Sequence, residues 1–331
     1  MRVTIKDIAK RVGVTPATVS MVINSSPKIS QKTKELVLAA IKDMNYHPNY
    51  IGRSLVKGKT NNIAVVASFF ASLFALESVR GIEASLRNTT YNLILYSTRG
   101  LEENERDMMQ RLFYERRADG IIVISLRMDK DIFEEFKKEG VPIVFLEEVI
   151  EGAPTVKFKN IKGGYMATEH FIKNKRKKIG LIIGESGLNA EERLKGYKDA
   201  LNDYGIPFDE NKIVRVRNYN FEEGEKCLKT LLKKSHDVDA IFCAAGDVTA
   251  IGVLDQAKKL GIKVPQDIGV IGYDDIYIAN LTSPGLTTIR QPIAQMGMQT
   301  FDVLMGMIDG TTPYESKIIS FEPELIIRES V

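Results

Sequence analysis

Thr4-Ile-Lys-Asp-Ile-Ala-Lys-Arg-Val-Gly13-Val-Thr-Pro-Ala-Thr-Val-Ser-Met21-Val-Ile-Asn24 is the stretch that decides how this chain is organised. Thr4 is placed to cap a first helix, with Asp7 three residues on as the acidic half of a capping box. Ile5, Ile8, Ala9 and Val12 then recur at helical spacing along one face. Gly13 stops that helix, because glycine accepts the left-handed backbone of a tight turn. Thr15 caps a second helix and Pro16 takes its first position, where a missing N–H is no loss; Val19, Val22 and Ile23 face inward. Ser30 caps a third helix, whose Leu36, Val37, Ala40, Ile41 and Met44 are expected to complete a small core. Three short helices joined by this turn make an all-α helix-turn-helix head, an arrangement that lays its second helix against a major groove.

Charge agrees with that reading. Residues 1–60 hold eleven Lys and Arg against Asp7, Glu35 and Asp43, a balance of +8 at a whole-chain charge of +3, so the remainder carries −5. A basic head on a mildly acidic body points to a polyanion at one end, bound with steep salt dependence.

Outward from the head, β-rich runs at 63–67, 93–96, 121–125, 143–146, 179–183, 240–244 and 268–272 alternate with helical stretches such as 73–87 and 102–116. This is the pattern of an α/β body with parallel sheets, and 331 residues leave room for a full core or two lobes. Gly163-Gly164 and Gly184-Glu-Ser-Gly187 match neither phosphate-loop nor dinucleotide spacing; they are expected to punctuate loops, and no cofactor is expected. Cys227 and Cys243 lack metal-ligand spacing and read as buried reduced thiols, and His47, His170 and His236 form no set, so no metal is expected. Glu147 and Glu148 are neighbours on a strand and point to opposite faces, which denies them a joint catalytic role. Lys6, Lys10 and Arg11 interrupt any early apolar run, and no segment approaches the roughly 18 apolar residues of a membrane span, so a cytoplasmic protein without membrane contact is expected.

Thr4 to Asn24, Tyr46-His-Pro-Asn49, Arg53-Ser-Leu55, Arg193-Leu-Lys-Gly-Tyr197, Ile271-Gly-Tyr-Asp274 and Leu286-Thr-Thr-Ile-Arg-Gln-Pro292 occur in one order along the chain. With these motifs the sequence resembles the LacI family of bacterial transcription regulators over nearly its whole length. The resemblance implies a helix-turn-helix domain at 1–47, a hinge helix and linker at 48–60, and a ligand-binding and dimerisation domain at 61–331. That last domain would be periplasmic-binding-protein-like, with two lobes of parallel sheet: about 61–159 with 291–319, and about 160–290 with 320–331. It implies a ligand-responsive transcriptional regulator, a repressor of a carbohydrate or metabolite operon, binding a near-palindromic operator in double-stranded DNA as a homodimer. Two competing functions are a solute-binding protein of the same body fold, opposed by the basic head and the missing leader, and a small-molecule enzyme, for which no nucleophile, metal or cofactor constellation exists.

The second helix departs from the family, which commonly carries Val-Ser-Arg where this chain has Val19-Ser20-Met21. No charged side chain occurs from Val12 to Pro27. Base edges would then be met by Thr15, Pro16, Ala17, Ser20, Met21 and Asn24, and phosphates by Thr4, Lys6, Thr18 and Lys28, with Lys32 beside them. The operator is expected to lack the guanine that an arginine would read. The bland alternative packs Met21 inward. Asn49 to Lys57 resembles the family's hinge helix, in which Leu55, beside Arg53, would wedge into the minor groove. About nine residues with Gly52 inside are too short to be helical alone, so this segment is expected to fold on DNA; the alternative is a plain linker.

By the same resemblance Arg193 and Asp274 would hydrogen-bond a small effector, with Asp247 following a strand nearby. The usual acidic run after the first strand is replaced by Ser68-Phe69-Phe70-Ala71-Ser72 with Leu73-Phe74, and the usual acid at the end of the crossing strand by Lys159. Phe69, Phe74 and Tyr219 are offered as stacking faces, Ser72 as a neighbour, and Lys159 with Arg193 as partners of an anionic group. A sugar or sugar derivative comes first and a nucleobase or anionic metabolite second. Phe69 as core and Asp274 as a loop brace are the alternatives.

Overall fold

A computed structural model describes residues 3–47, 58–70, 72–100 and 102–331. The expected hinge, with Arg53 and Leu55, lies outside the described residues. The chain divides into two compact units, Met1–Thr60 and Asn61–Val331.

In the first unit, α1 (Ile5–Val12), α2 (Pro16–Ile23) and α3 (Gln31–Asp43) follow the caps written in the sequence. The Asp7 carboxylate accepts from both the backbone N–H (2.9 Å) and the hydroxyl (2.7 Å) of Thr4, and these bonds hold it below the usual carboxylate range. Gly13 closes α1 at φ 75°. Thr15 and Ser30 each accept a backbone N–H three residues on, at 3.1 and 3.3 Å. Ile8, Ala9, Val19, Val22, Val37, Ala40 and Tyr46 form the core. Leu36 does not join it: one position before Val37 its side chain leaves the buried stripe, and it is 53% exposed.

The second unit contains two six-stranded sheets. The first lobe runs β1 (Asn62–Ala67), α4 (Leu73–Leu86), β2 (Asn92–Ser97), α5 (Glu102–Tyr114), β3 (Gly120–Ile124), α6 (Lys130–Lys138), β4 (Ile143–Leu146) and β5 (Thr155–Phe158). The second runs α7 (Asn160–Lys173), β6 (Ile179–Gly184), α8 (Leu188–Asp203), β7 (Ile213–Val216), α9 (Phe221–Lys234), β8 (Ala240–Cys243), α10 (Asp247–Lys259), β9 (Gly269–Asp274) and β10 (Thr287–Arg290). The chain then returns as α11 (Ile293–Ile308) and β11 (Ile318–Phe321) and crosses again to β12 (Glu324–Ile326). Strand order is β11-β5-β4-β3-β1-β2 in one sheet and β12-β10-β9-β8-β6-β7 in the other, every pair parallel except β10 with β12. Strands such as β3, β4 and β6 are buried along their whole length, as helices on both faces of a parallel sheet require. Each lobe reverses strand order beside its first strand, so the crevice between lobes gathers residues at the carboxyl ends of strands.

Gly163 and Gly164 are not loop residues; both lie inside α7. A Cβ at Gly164 would run into the Arg193 backbone carbonyl, and one at Gly196 on α8 into that of Ile161. The two glycines let α7 and α8 touch backbone to backbone, and that contact fixes where Arg193 emerges.

Candidate functional site

In the head, α2 buries Val19 and Val22 and turns Pro16, Ala17 and Met21 outward, with Thr15 and Asn24 exposed at its ends. Met21 is 36% exposed and takes no part in the core, so the inward alternative does not hold. Ser20 and Thr18 are half-buried; the Thr18 and Thr15 hydroxyls bond each other at 2.9 Å. Thr4, Lys6 and Lys28 are exposed, although the Thr4 hydroxyl is taken by Asp7. The result is an uncharged, methyl-rich helix face within a basic unit, a surface suited to thymine methyls and hydroxyl contacts.

In the body, the strand ends converge on Asn160, the first residue of α7 and fully buried. Its Nδ2 donates to Glu147 Oε2 (2.9 Å), and its Oδ1 accepts from Arg193 Nε (2.9 Å) and the Tyr273 hydroxyl (3.1 Å). Arg193 also donates from Nη1 to the Ala244 carbonyl (2.7 Å), and its guanidinium carbon lies 3.7 Å from the Tyr273 ring centroid. Glu147, just beyond β4 at φ 66°, accepts a second bond from the Phe158 N–H. Residues from both lobes are therefore tied through one amide. Burial pushes the Glu147 carboxyl up to about 7, against the opposing pull of the Asn160 bond and the Arg193 charge.

Asp274 ends β9 and is partly buried; its Oδ1 accepts from Gln291 Nε2 at 2.5 Å. Burial raises its carboxyl to about 6, with Arg193 and then Gln291 opposing. Tyr219 is half-exposed, lies with its hydroxyl against Gly184, and feels the charges of both Arg193 and Asp274. Arg193, Asp274 and Tyr219 thus share one neighbourhood.

Other expected effector residues have different surroundings. Asp247 is fully buried and each oxygen accepts a hydrogen bond from the fold, Oδ1 from the Thr288 hydroxyl (2.6 Å) and Oδ2 from the Ile276 N–H (2.9 Å), so it braces neighbouring strand ends. Burial holds its carboxyl well above the ordinary range. Lys159 pairs with Glu322 and lines a hollow of 460 Å³ with Lys157, Asn160, Lys162, Tyr165 and Glu192; Asp274 is not among the residues lining it. Ser72 caps α4, accepting from Ala75 N at 3.2 Å. Phe69 is half-exposed with its ring edge on Gly100, and Phe74 packs on the large core. Glu147, Asn160 and Gln291 were not among the site residues expected from the sequence. Their position just after β4, β5 and β10 was the available signal, but a strand end becomes a site only when another lobe faces it.

Cys227 and Cys243 are buried free thiols, both pushed up by burial. Among the described residues there is no group of side chains able to hold a metal, and no helix is long and apolar enough to cross a membrane.

Residues 4–49 match the family described as bacterial regulatory proteins, lacI family, and residues 168–331 match the periplasmic binding protein-like domain. The chain is similar to the HTH-type transcriptional repressor PurR of Photobacterium profundum, 35% identical over 332 residues that cover 99% of this chain and 98% of the relative. Among solved structures it resembles the transcriptional regulator CelR in complex with cellobiose (30% identity, TM-score 0.75, all of both chains). It also resembles the Lac repressor dimer bound to operator and the anti-inducer ONPF (25% identity, TM-score 0.85, 100% of this chain and 99% of that one).

Proposed function

The chain belongs to the LacI family of bacterial regulatory proteins, and we propose that it is a ligand-responsive repressor that binds a near-palindromic operator as a homodimer and releases or tightens its hold when a small molecule enters the body cleft. The observation that carries this reading is the pairing of an outward, uncharged α2 face in a basic head with a two-lobe body whose strand ends meet at Asn160. One recognition helix covers only a half-site, so a second copy supplies the other half. Pro16, Ala17, Ser20, Met21 and Asn24 read base edges, with Thr15 at the helix start, and Lys6, Thr18, Lys28 and Thr4 set register on phosphates. Arg53 and Leu55 act at the operator centre. In the cleft, Arg193, Asp274 and Tyr219 contact the effector, a sugar derivative or a nucleobase; a metabolic operon is the regulated unit.

The test is to incubate the purified chain with fragmented genomic DNA of its source at moderate salt and sequence what it retains. A recovered palindrome supports the reading and shows that the ligand-free form binds. If nothing specific is retained, with or without a metabolite extract, the proposal fails.

A further inference from the structure

The 460 Å³ hollow at the start of α7 takes no part in the effector reading, and its volume is that of a small-molecule site. Both lobes build it: Lys157 on β5 and Ser320 on β11 line it from the first, Ile161, Lys162 and Tyr165 on α7 from the second. Lys159 lines it where the chain crosses between them.

Three of these residues are lysines, and the fold shows what their ammoniums hold. The Glu322 carboxylate, on the link between β11 and β12, accepts from Lys159 on one oxygen and from Lys162 on the other, the latter at 2.9 Å. Lys157, mostly buried, bonds Glu192 at 2.5 Å. Three ammoniums therefore stand against two carboxylates, and each ammonium, with three N–H donors, uses one in these bonds. Lys159, Lys162 and Glu322 are all about half-exposed, so water weakens their pairing and a carboxylate from solvent can exchange with it.

The α7 wall is apolar. Ile161 and Tyr165 stand one turn apart on that helix, and Ile161 is 37% exposed, unusual room for a large aliphatic side chain beside a charged cluster. Asp203 holds the Tyr165 hydroxyl at 3.1 Å, which leaves the ring to the hollow. The lysine stems add methylenes beneath their charged heads.

We propose that this hollow is a second small-molecule site, which takes an organic monocarboxylate with a flat apolar body. Its carboxylate replaces that of Glu322 on Lys159 and Lys162, and its body lies on Ile161 and Tyr165. A neutral molecule lacks the charge for this place, and a bare inorganic anion lacks the body. Because both lobes line the hollow, an occupant favours one angle between them, from a position that neither Asp274 nor Tyr219 lines.

The experiment titrates the full chain by calorimetry at low ionic strength with phenylacetate, phenylacetamide and inorganic phosphate. Phenylacetate is expected to bind with a Kd of about 1 mM or tighter, and the other two about tenfold more weakly. Lys162→Met keeps the stem and removes the charge, and Ile161→Glu sets a carboxylate on the apolar wall; each should weaken phenylacetate about tenfold. Glu322→Gln frees the two ammoniums and should tighten phenylacetate about threefold, a gain that a purely structural lysine cluster does not give. Circular dichroism checks the fold of each variant. Phenylacetamide or phosphate binding as tightly as phenylacetate overturns the proposal. So does phenylacetate binding that is absent, unmoved by Lys162→Met and Ile161→Glu, or not tightened by Glu322→Gln.

Discussion

Glu147→Gln is the most revealing perturbation of the body, because the carboxylate is fully buried between the lobes. Its carboxyl moves from an ordinary 4.5 to about 7. Between those values the folded protein keeps a proton that the unfolded chain has lost. Stability contributed by this group is therefore complete below about 4.5, falls as pH rises through about 7, and is flat above. At roughly 1.4 kcal/mol per tenfold in proton affinity, the full swing is about 3 kcal/mol. The substituted glutamine keeps an acceptor for the Phe158 N–H but turns an amide donor toward Asn160 Nδ2, at a pH-independent cost of about 1–3 kcal/mol. Asp274 and Asp247, raised in the same sense, titrate in both proteins and cancel in the difference. Urea unfolding of the body, followed by circular dichroism at pH 8 and again at about pH 5, should show wild type gaining about 2–3 kcal/mol over the variant at the lower pH. Parallel stability curves would refute the argument and mean that Glu147 is solvated.

Three further outcomes follow from the same contacts. Gly196→Ala forces a methyl into the Ile161 carbonyl and should cost about 1–3 kcal/mol in thermal unfolding, whereas exposed Lys195→Ala should stay within about 0.5 kcal/mol. Asp247→Ala leaves the Thr288 hydroxyl and Ile276 N–H unpaired in the core and should lower stability by about 2–4 kcal/mol; an unchanged unfolding midpoint with altered effector affinity would instead make it a ligand contact. Met21→Arg should add a guanine to the consensus recovered by selection from random DNA, and an unchanged consensus would remove Met21 from the base-reading face.

The head is written in local chemistry: caps, turn glycine and apolar stripe each act over a few residues, and Thr4, Gly13, Thr15, Pro16 and Ser30 all appear where they function. The alternation of strands and helices is equally legible, since strands buried on both faces read as unbroken apolar runs. Leu36 departs from the expected core because periodicity over a few residues does not fix a helix's rotation to within one position. Gly163 and Gly164 resemble loop punctuation because local sequence does not reveal that the Tyr273 side chain lies against the first and the Arg193 backbone against the second. The site is legible only where a motif carries it, as at Arg193 and Asp274. The remainder of the site comes from packing, since hydrogen bonds between residues 147, 160, 193 and 273 join segments far apart in the chain. Asp247 and Asp274 are the same residue type, one just beyond a strand and the other at the end of its neighbour. Among the described residues one has a donor on each oxygen and the other a side-chain donor on Oδ1 alone, a difference set by which donors the folded chain brings into hydrogen-bond reach.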